Sequence, residues 1–376
     1  MVKEIKIVVG LNYGDEGKGL VTNYLSHQSR MTGKKTVNIL TNGSCQRGHT
    51  VDINEGTKHV FKHFGSGTFQ GADTYFPQEF LVNPIFFNKE YDELDCGKMG
   101  TQCLCNENCT IVTPFHMLFN QLKESMRGED KHGSCGMGVW ETVRLPLLKV
   151  RDLSDKEKRV DILLNIISII CDEFINIEHH KEYEEYERYL ISHTMANQFL
   201  DDCDLFYERI KIVNDQYIVN HYDTIIFENG QGLLLDQKLE DKEHLTPSNT
   251  DLTNPKRFIN DIGLDESIVE TCYVTRSYLT RHGNGYLQNE CDVSEINQTI
   301  YDTTNVWNEW QGSIRYGRLD LNNFPKRIKK FGKTSLFVTH MNEYSIPVRL
   351  LKEITDTIYV SDNKFINSIH KLDKEN

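Results

Sequence analysis

The stretch Ile5-Lys6-Ile7-Val8-Val9-Gly10-Leu11-Asn12-Tyr13-Gly14-Asp15-Glu16-Gly17-Lys18-Gly19-Leu20-Val21-Thr22-Asn23-Tyr24-Leu25 decides the fold. From residue 4 it alternates polar and apolar and then runs apolar, which is the pattern of a buried strand. A glycine-rich turn follows, and beyond it apolar residues recur at helical spacing. Strand, glycine loop and helix in succession place backbone amides and a helix N-terminus where an anion can bind. Within Gly14-Asp15-Glu16-Gly17-Lys18-Gly19 the glycines allow close approach to phosphate oxygens, and Lys18 adds a mobile cation. The spacing is not that of a standard P-loop, which needs four residues between its glycines and a GKS or GKT ending. A plain glycine turn would account for the glycines but not for an acid pair beside a lysine.

Outward from this unit, β-branched apolar runs recur at 36–40, 110–113, 224–227, 270–275 and 335–339. Helix-length stretches separate them. The alternation predicts an α/β fold, one domain over 1–376 with a central, mostly parallel sheet and flanking helices. Between 155 and 215 a charge-rich stretch carries apolar residues three and four apart, the signature of a helical insertion. The tail after 365 reads as frayed.

With 376 residues, 38% hydrophobic and 26% charged, the chain can bury a large core and falls outside the disordered class. A net charge of -13 with dispersed Lys and Arg argues against a nucleic-acid surface, so anionic ligands must be met locally by loops. The N-terminal strand is too polar for a signal peptide, and no apolar run approaches the length of a bilayer span. A cytoplasmic protein with small-molecule substrates, and no membrane or nucleic-acid partner, is expected. Its ten cysteines then read as reduced thiols. Cys96, Cys103, Cys105 and Cys109 lie close enough for a tetrahedral zinc loop, but CxC followed by CxxxC is not a pair of zinc knuckles, and core thiols are the favoured reading.

A second constellation, Asn42-Gly43-Ser44-Cys45-Gln46-Arg47-Gly48-His49-Thr50, also follows a strand. Loops at the ends of parallel strands are where such sheets bind ligands. A histidine in a polar loop is more often merely solvated, and only together with the first loop does His49 become a candidate acid or electrostatic stabiliser.

Taken together, VVGLNYGDEGKG, GHT at 48–50, FENGQGLLLD at 227–236, LTPSNTD at 245–251 and YLTRHGNG at 278–285 resemble the adenylosuccinate synthetase family in order and spacing. VTPFHM at 112–117, GSCGMG at 133–138 and VRDL at 150–153 resemble it more weakly. The resemblance implies a ligase that phosphorylates the 6-oxygen of a purine nucleotide and then displaces the phosphate with an amine. It implies that Asp15 is the base at purine N1 and a ligand of Mg2+, with the Gly48 carbonyl as another, and that His49 stabilises the phosphate in transfer. Lys18, Glu16 and the backbone of Gly14, Gly17 and Gly19 would cradle the nucleoside triphosphate. Gln231 would read the purine, while Ser134, Cys135 and Thr246 would hold the substrate phosphate. A homodimer is implied too, because the family takes an arginine from the partner subunit, for which Arg151 and Arg144 are the candidates.

Three departures bear on substrates. Where the family has an arginine-rich loop for the amino acid, this chain reads NEWQGSIRYGRLD at 308–320, which in a gap-free register leaves Arg315, beside Gln311, as the remaining carboxylate anchor. The guanine-reading TKLD becomes Thr339-His340-Met341-Asn342, and the Asn342 amide can donate to adenine N1, so GTP and ATP both stand. GSCGMG also lacks the arginine of the family's phosphate loop. IMP and L-aspartate are the leading substrates. The alternatives are a guanine deoxynucleotide acceptor or another amine, with ATP or dATP as donor, and a non-catalytic nucleotide sensor. Retention of Asp15, Lys18, His49 and Gln231 speaks for catalysis.

Overall fold

The computed structural model describes residues 2–175, 183–240, 244–302, 305 and 307–372. Strand β1 (Glu4–Gly10) is followed by the glycine loop and helix α1 (Lys18–Met31), as expected. The other strands of the main sheet are β2 (Thr36–Leu40), β3 (Asp73–Phe76), β4 (Cys103–Cys105), β5 (Lys211–Ile212), β6 (Thr224–Glu228), β7 (Val269–Arg276), β8 (Lys333–Thr339), β9 (Ile358–Val360) and β10 (His370–Lys371). Their order is β10-β9-β8-β7-β1-β6-β2-β3-β4-β5. Every neighbouring pair is parallel except the β9–β10 edge. β1 therefore lies deep in the sheet, between β6 and β7, and its Ile5, Ile7, Val8 and Val9 are wholly buried. A run buried on both faces loses its polar alternation, which is why these strands read as continuous apolar stretches.

Two sequence expectations need correcting. The run at 110–113 is not in the main sheet: Thr110–Ile111 pairs with Leu81–Val82 in a separate two-stranded ladder. Its place is taken by β3 and β4, too short for any periodicity to show. The tail after 365 is not frayed throughout, since β10 closes the sheet edge with its Lys371 opposite Tyr359; residues 373–376 lie outside the described ones.

The described residues of the 155–215 segment form helices α4 (Lys156–Ile175), α5 (Tyr183–Leu190) and α6 (His193–Arg209), after α2 (Pro84–Glu93) and α3 (Pro114–Arg127). Residues 176–182 of the expected segment lie outside the described ones. The insertion stops at Arg209, because Lys211 and Ile212 extend the sheet beyond β4. Leu163, Ile166 and Ile170 of α4 and Phe199, Cys203 and Phe206 of α6 join Phe76, Phe87 and Phe115 in one apolar core. Cys96, Cys103, Cys105 and Cys109 are buried in the same core. The Cys109 thiol faces the Phe76 and Pro77 carbonyls at 3.3 and 3.1 Å, and among the described residues no three His, Cys, Asp or Glu gather as metal ligands. Nor is any described helix long and apolar enough to cross a membrane.

Candidate active site

Parallel order sends the loops after β1, β2, β6, β7 and β8 out of the same edge of the sheet, the edge at which open α/β sheets bind ligands. These loops line a cavity of about 710 Å³. A second cavity of about 540 Å³ adjoins it, and Gln46, Cys135, Gln231, Leu235, His282 and Gln311 line both. The two are lobes of one cleft.

In the first lobe the glycine loop is fixed from within. Glu16 Oε1 accepts from the backbone N–H of Asn12 at 2.9 Å and of Gly14 at 3.1 Å, while its Oε2 meets Lys18 Nζ at 2.7 Å. Both side chains are 2% exposed, so the two charges compensate one another out of water, with the loop amides on the carboxylate. An incoming anion would find Lys18 already desolvated. Gly17 has φ of +89°, and a Cβ there would sit 2.9 Å from Thr339 Cγ2. Gly19 has no room either, since a Cβ would lie 2.9 Å from the Thr50 carbonyl. These two glycines let the start of α1 wedge between β8 and the antiparallel hairpin formed by His49–Asn54 and Thr57–Phe61.

Asp15 holds φ of +57°, a left-handed conformation uncommon outside glycine. Its carboxylate meets His282 Nε2 at 3.0 Å, and its carbonyl accepts from Arg276 Nε. Burial opposes ionisation of Asp15, but the hydrogen bond and charge of His282, with Arg276 and Lys18 nearby, hold its carboxyl well below the usual range. For His282 burial pulls downward, and Asp15 outweighs it to raise the imidazole above its ordinary value.

His49 Nδ1 lies 2.5 Å from Glu228 Oε1, and Glu228 also accepts from the Ser66 backbone N–H at 3.0 Å. Arg47 Nη2 sits 3.0 Å from His49 Nδ1 and 3.3 Å from Glu228. Burial, then the Arg47 charge, lower His49 to about 4 despite Glu228. Glu228 itself, although burial works against its ionisation, is held at about 2 by His49 and Arg47. With Nδ1 committed to Glu228, Nε2 is the ring nitrogen left for a ligand.

The second lobe collects Ser134, Cys135, Gln231 and Thr246, as the sequence suggested. Ser134 Oγ donates to Asn120 Oδ1 at 2.8 Å and accepts from the Gly136 N–H at 3.2 Å. The Cys135 thiol is pushed up to about 11 by burial and stays neutral. Gln231, at φ of +54°, is fixed by Asn42 Nδ2 at 3.0 Å. Asn342 and Gly48 line the first lobe, and Gln311 both. Arg144 lines the second lobe; Arg151 lines neither and is exposed, bonded to Asn108.

Arg315 is placed differently from the sequence reading. Its Nε and Nη2 meet Glu290 at 2.7 and 2.5 Å, and Nη1 donates to the Gly283 and Gly285 carbonyls at 3.0 and 2.9 Å. It lines neither lobe, and the protein occupies each of its three nitrogens. Sequence reasoning also gave no role to Glu228, Arg47, Arg276 or His282. Only their position at strand ends, within or beside quoted motifs, could have signalled them.

Parallel strand ends carrying a phosphate loop, a desolvated lysine and a histidine–carboxylate pair define a nucleotide-handling α/β enzyme. The family model for adenylosuccinate synthetase matches residues 7–350. The adenylosuccinate synthetase of Mesoplasma florum is 25% identical over 374 residues, 96% of this chain and 82% of that one. That of Acaryochloris marina is 26% identical over 251 residues, 65% of this chain and about half (53%) of that one. Among solved structures, fully ligated adenylosuccinate synthetase from Plasmodium falciparum superposes with a TM-score of 0.76 at 15% identity, covering 99% of this chain and 100% of that one. The succinoaminodeoxyadenylate synthetase of cyanophage S-2L, bound to dGMP and dATP as an energy donor, gives 0.68 at 16% identity, covering 99% and 96%. The chain belongs to the adenylosuccinate synthetase family, carbon–nitrogen ligases that act on purine nucleotides.

Proposed function

We propose that this enzyme converts IMP, L-aspartate and a nucleoside triphosphate into adenylosuccinate, the diphosphate and inorganic phosphate. The observation that carries the reading is the Asp15 carboxylate, held ionised in the same cavity as Lys18 and His49. Asp15 accepts the N1 proton as O6 attacks the γ-phosphorus and the diphosphate leaves. A strongly ionised carboxylate is a weak base, but phosphorylation of O6 makes N1–H strongly acidic, so the two steps reinforce one another. His49, through Nε2, steadies the phosphoryl group. Anionic ligands arriving beside the Glu228 carboxylate favour the imidazolium there. Lys18 and the loop amides bind and orient the phosphates, which is most of what phosphoryl transfer asks of a protein. The amine then adds at C6, and phosphate departs with the former O6.

A carboxylate and a backbone carbonyl in one phosphate cavity suit Mg2+, which is content with few protein ligands and completes its shell with water and phosphate oxygens. Asp15 and the Gly48 carbonyl would hold it, and it would neutralise developing phosphate charge. Asn342 offers an amide donor where a carboxylate would favour guanine, which tilts the triphosphate toward ATP. Gln231, Ser134, Cys135 and Thr246 take the purine and its phosphate; Gln311 faces the amine. A homodimer in the cytoplasm, with Arg144 or Arg151 crossing to the partner's phosphate site, completes the reading. The test is a panel of IMP, dIMP, GMP and dGMP against ATP and GTP and a set of amino acids, with products weighed by mass spectrometry. Product from IMP and aspartate supports the proposal; product only from dGMP replaces it with the guanine-type reaction, and none from any combination with a sensor.

A further inference from the structure

Asp15 is the member of a closed polar ring that no sequence motif announces. Its carboxylate meets His282 Nε2 at 3.0 Å, and the same Nε2 lies 3.1 Å from Asn305 Oδ1. Asn305 is fixed in turn by Asp302, which accepts from its backbone N–H at 2.9 Å and from its Nδ2 at 2.7 Å. Those bonds orient the amide so that its oxygen faces His282. Asp302 lies 3.6 Å from Arg276 Nη2, and Arg276 Nε returns to the Asp15 carbonyl. The ring ties both ends of one residue, at a positive φ, to the segment that leads into Gln311.

Two acceptors on one nitrogen make Nε2 the donor of His282. Its Nδ1 is buried and has no hydrogen-bond partner among the described residues, although the side chain lines both lobes. We propose that His282 and Asn305 are positioning residues that aim the Asp15 carboxylate, so that the segment beside the amine site sets the geometry of the purine base-abstraction step. The inference rests on Asp15 being the reacting carboxylate. Misplacing a reacting group by an ångström can cost about a hundredfold in rate, while ligands held by other residues bind unchanged.

The experiment compares His282→Leu with His282→Gln, which keeps an N–H donor at similar reach, and adds Asn305→Ala. Thermal melts are run alongside to establish folding, and Asp15→Asn serves as a control. His282→Leu is expected to lower kcat by about tenfold or more, with half-saturation for both nucleotides within about twofold. His282→Gln should recover most of that loss, and Asn305→Ala should fall between. Wild-type kcat in the Leu variant, equal losses in Leu and Gln, or a loss confined to KM would overturn the proposal. A fully active Asp15→Asn enzyme would instead overturn the reading on which it rests, so the two failures are distinguishable.

Discussion

The two ends of the cleft are built on opposite principles. At one end the glycine loop, Glu16, Lys18, His49 and Glu228 are held by the C-terminal edges of buried parallel strands, and Lys18 is matched with Glu16 and Arg47 with Glu228 out of water. At the other end Gln311 lies in the turn before a small antiparallel ladder, Leu279–Arg281 with Arg315–Gly317, and Arg315 is turned onto Glu290. The sheet fixes the first set rigidly, whereas the second lies on loops and a short ladder where sequence can vary without disturbing the core.

The contrast can be broken most sharply at Asp15. Asp15→Asn should lower turnover by about 10²- to 10⁴-fold while nucleotide affinity stays within a few-fold, since the amide keeps the shape but cannot take a proton. Single-turnover kinetics beside equilibrium binding reads both, and near-normal turnover would remove Asp15 from the chemistry. His49→Ala comes next, with a loss of about 10²- to 10³-fold in phosphate release expected for one missing electrostatic contact. Unchanged phosphate release would reduce His49 to a structural part.

Acid should lower the stability of the whole fold. His63 and His116, each buried, are lowered to about 3, in both cases first by burial and so held neutral. A folded pKa below the unfolded value of about 6.5 means that the unfolded chain binds more protons in between. Their stabilisation is therefore present above about pH 6.5 and is lost as pH falls toward 3, on the order of 1–2 kcal/mol per histidine by pH 5. Denaturant melts at pH 7 and pH 5 measure it, and equal stability at the two would mean that these rings already carry charge when folded. The smallest effect is expected at Arg315, where Ala should raise half-saturation for the amine by about tenfold and leave both nucleotides unaffected. Arg315→Lys separates the causes: it should resemble Ala if Arg315 fastens the 283–285 turn, and wild type if its charge meets the donor directly.

The glycine-loop unit was legible because its residues are contiguous and its periodicity strong: β1, the glycine loop and α1 lie where the sequence puts them. The short strands β3 and β4 were not legible, since three or four residues carry no period, and the run at 110–113 took their place. Glu228 stood in a quoted motif without a role, because its partner His49 is 179 positions away. Arg315 was read as a ligand from a gap-free register with the family's arginine-rich loop; the Glu290 that meets it is 25 residues distant and belongs to no quoted motif. The polar ring through His282 and Asn305 depends on a three-dimensional closure that no local pattern records.

Phosphorylation of the purine 6-oxygen is the central step of the proposed reaction, and an isotope tests it directly. IMP carrying oxygen-18 at position 6 is turned over with aspartate and triphosphate, and the inorganic phosphate and purine product are weighed. The label is expected to leave the purine and appear in inorganic phosphate, one atom per turnover. Label retained in the purine, or released to water with unlabelled phosphate, would contradict it.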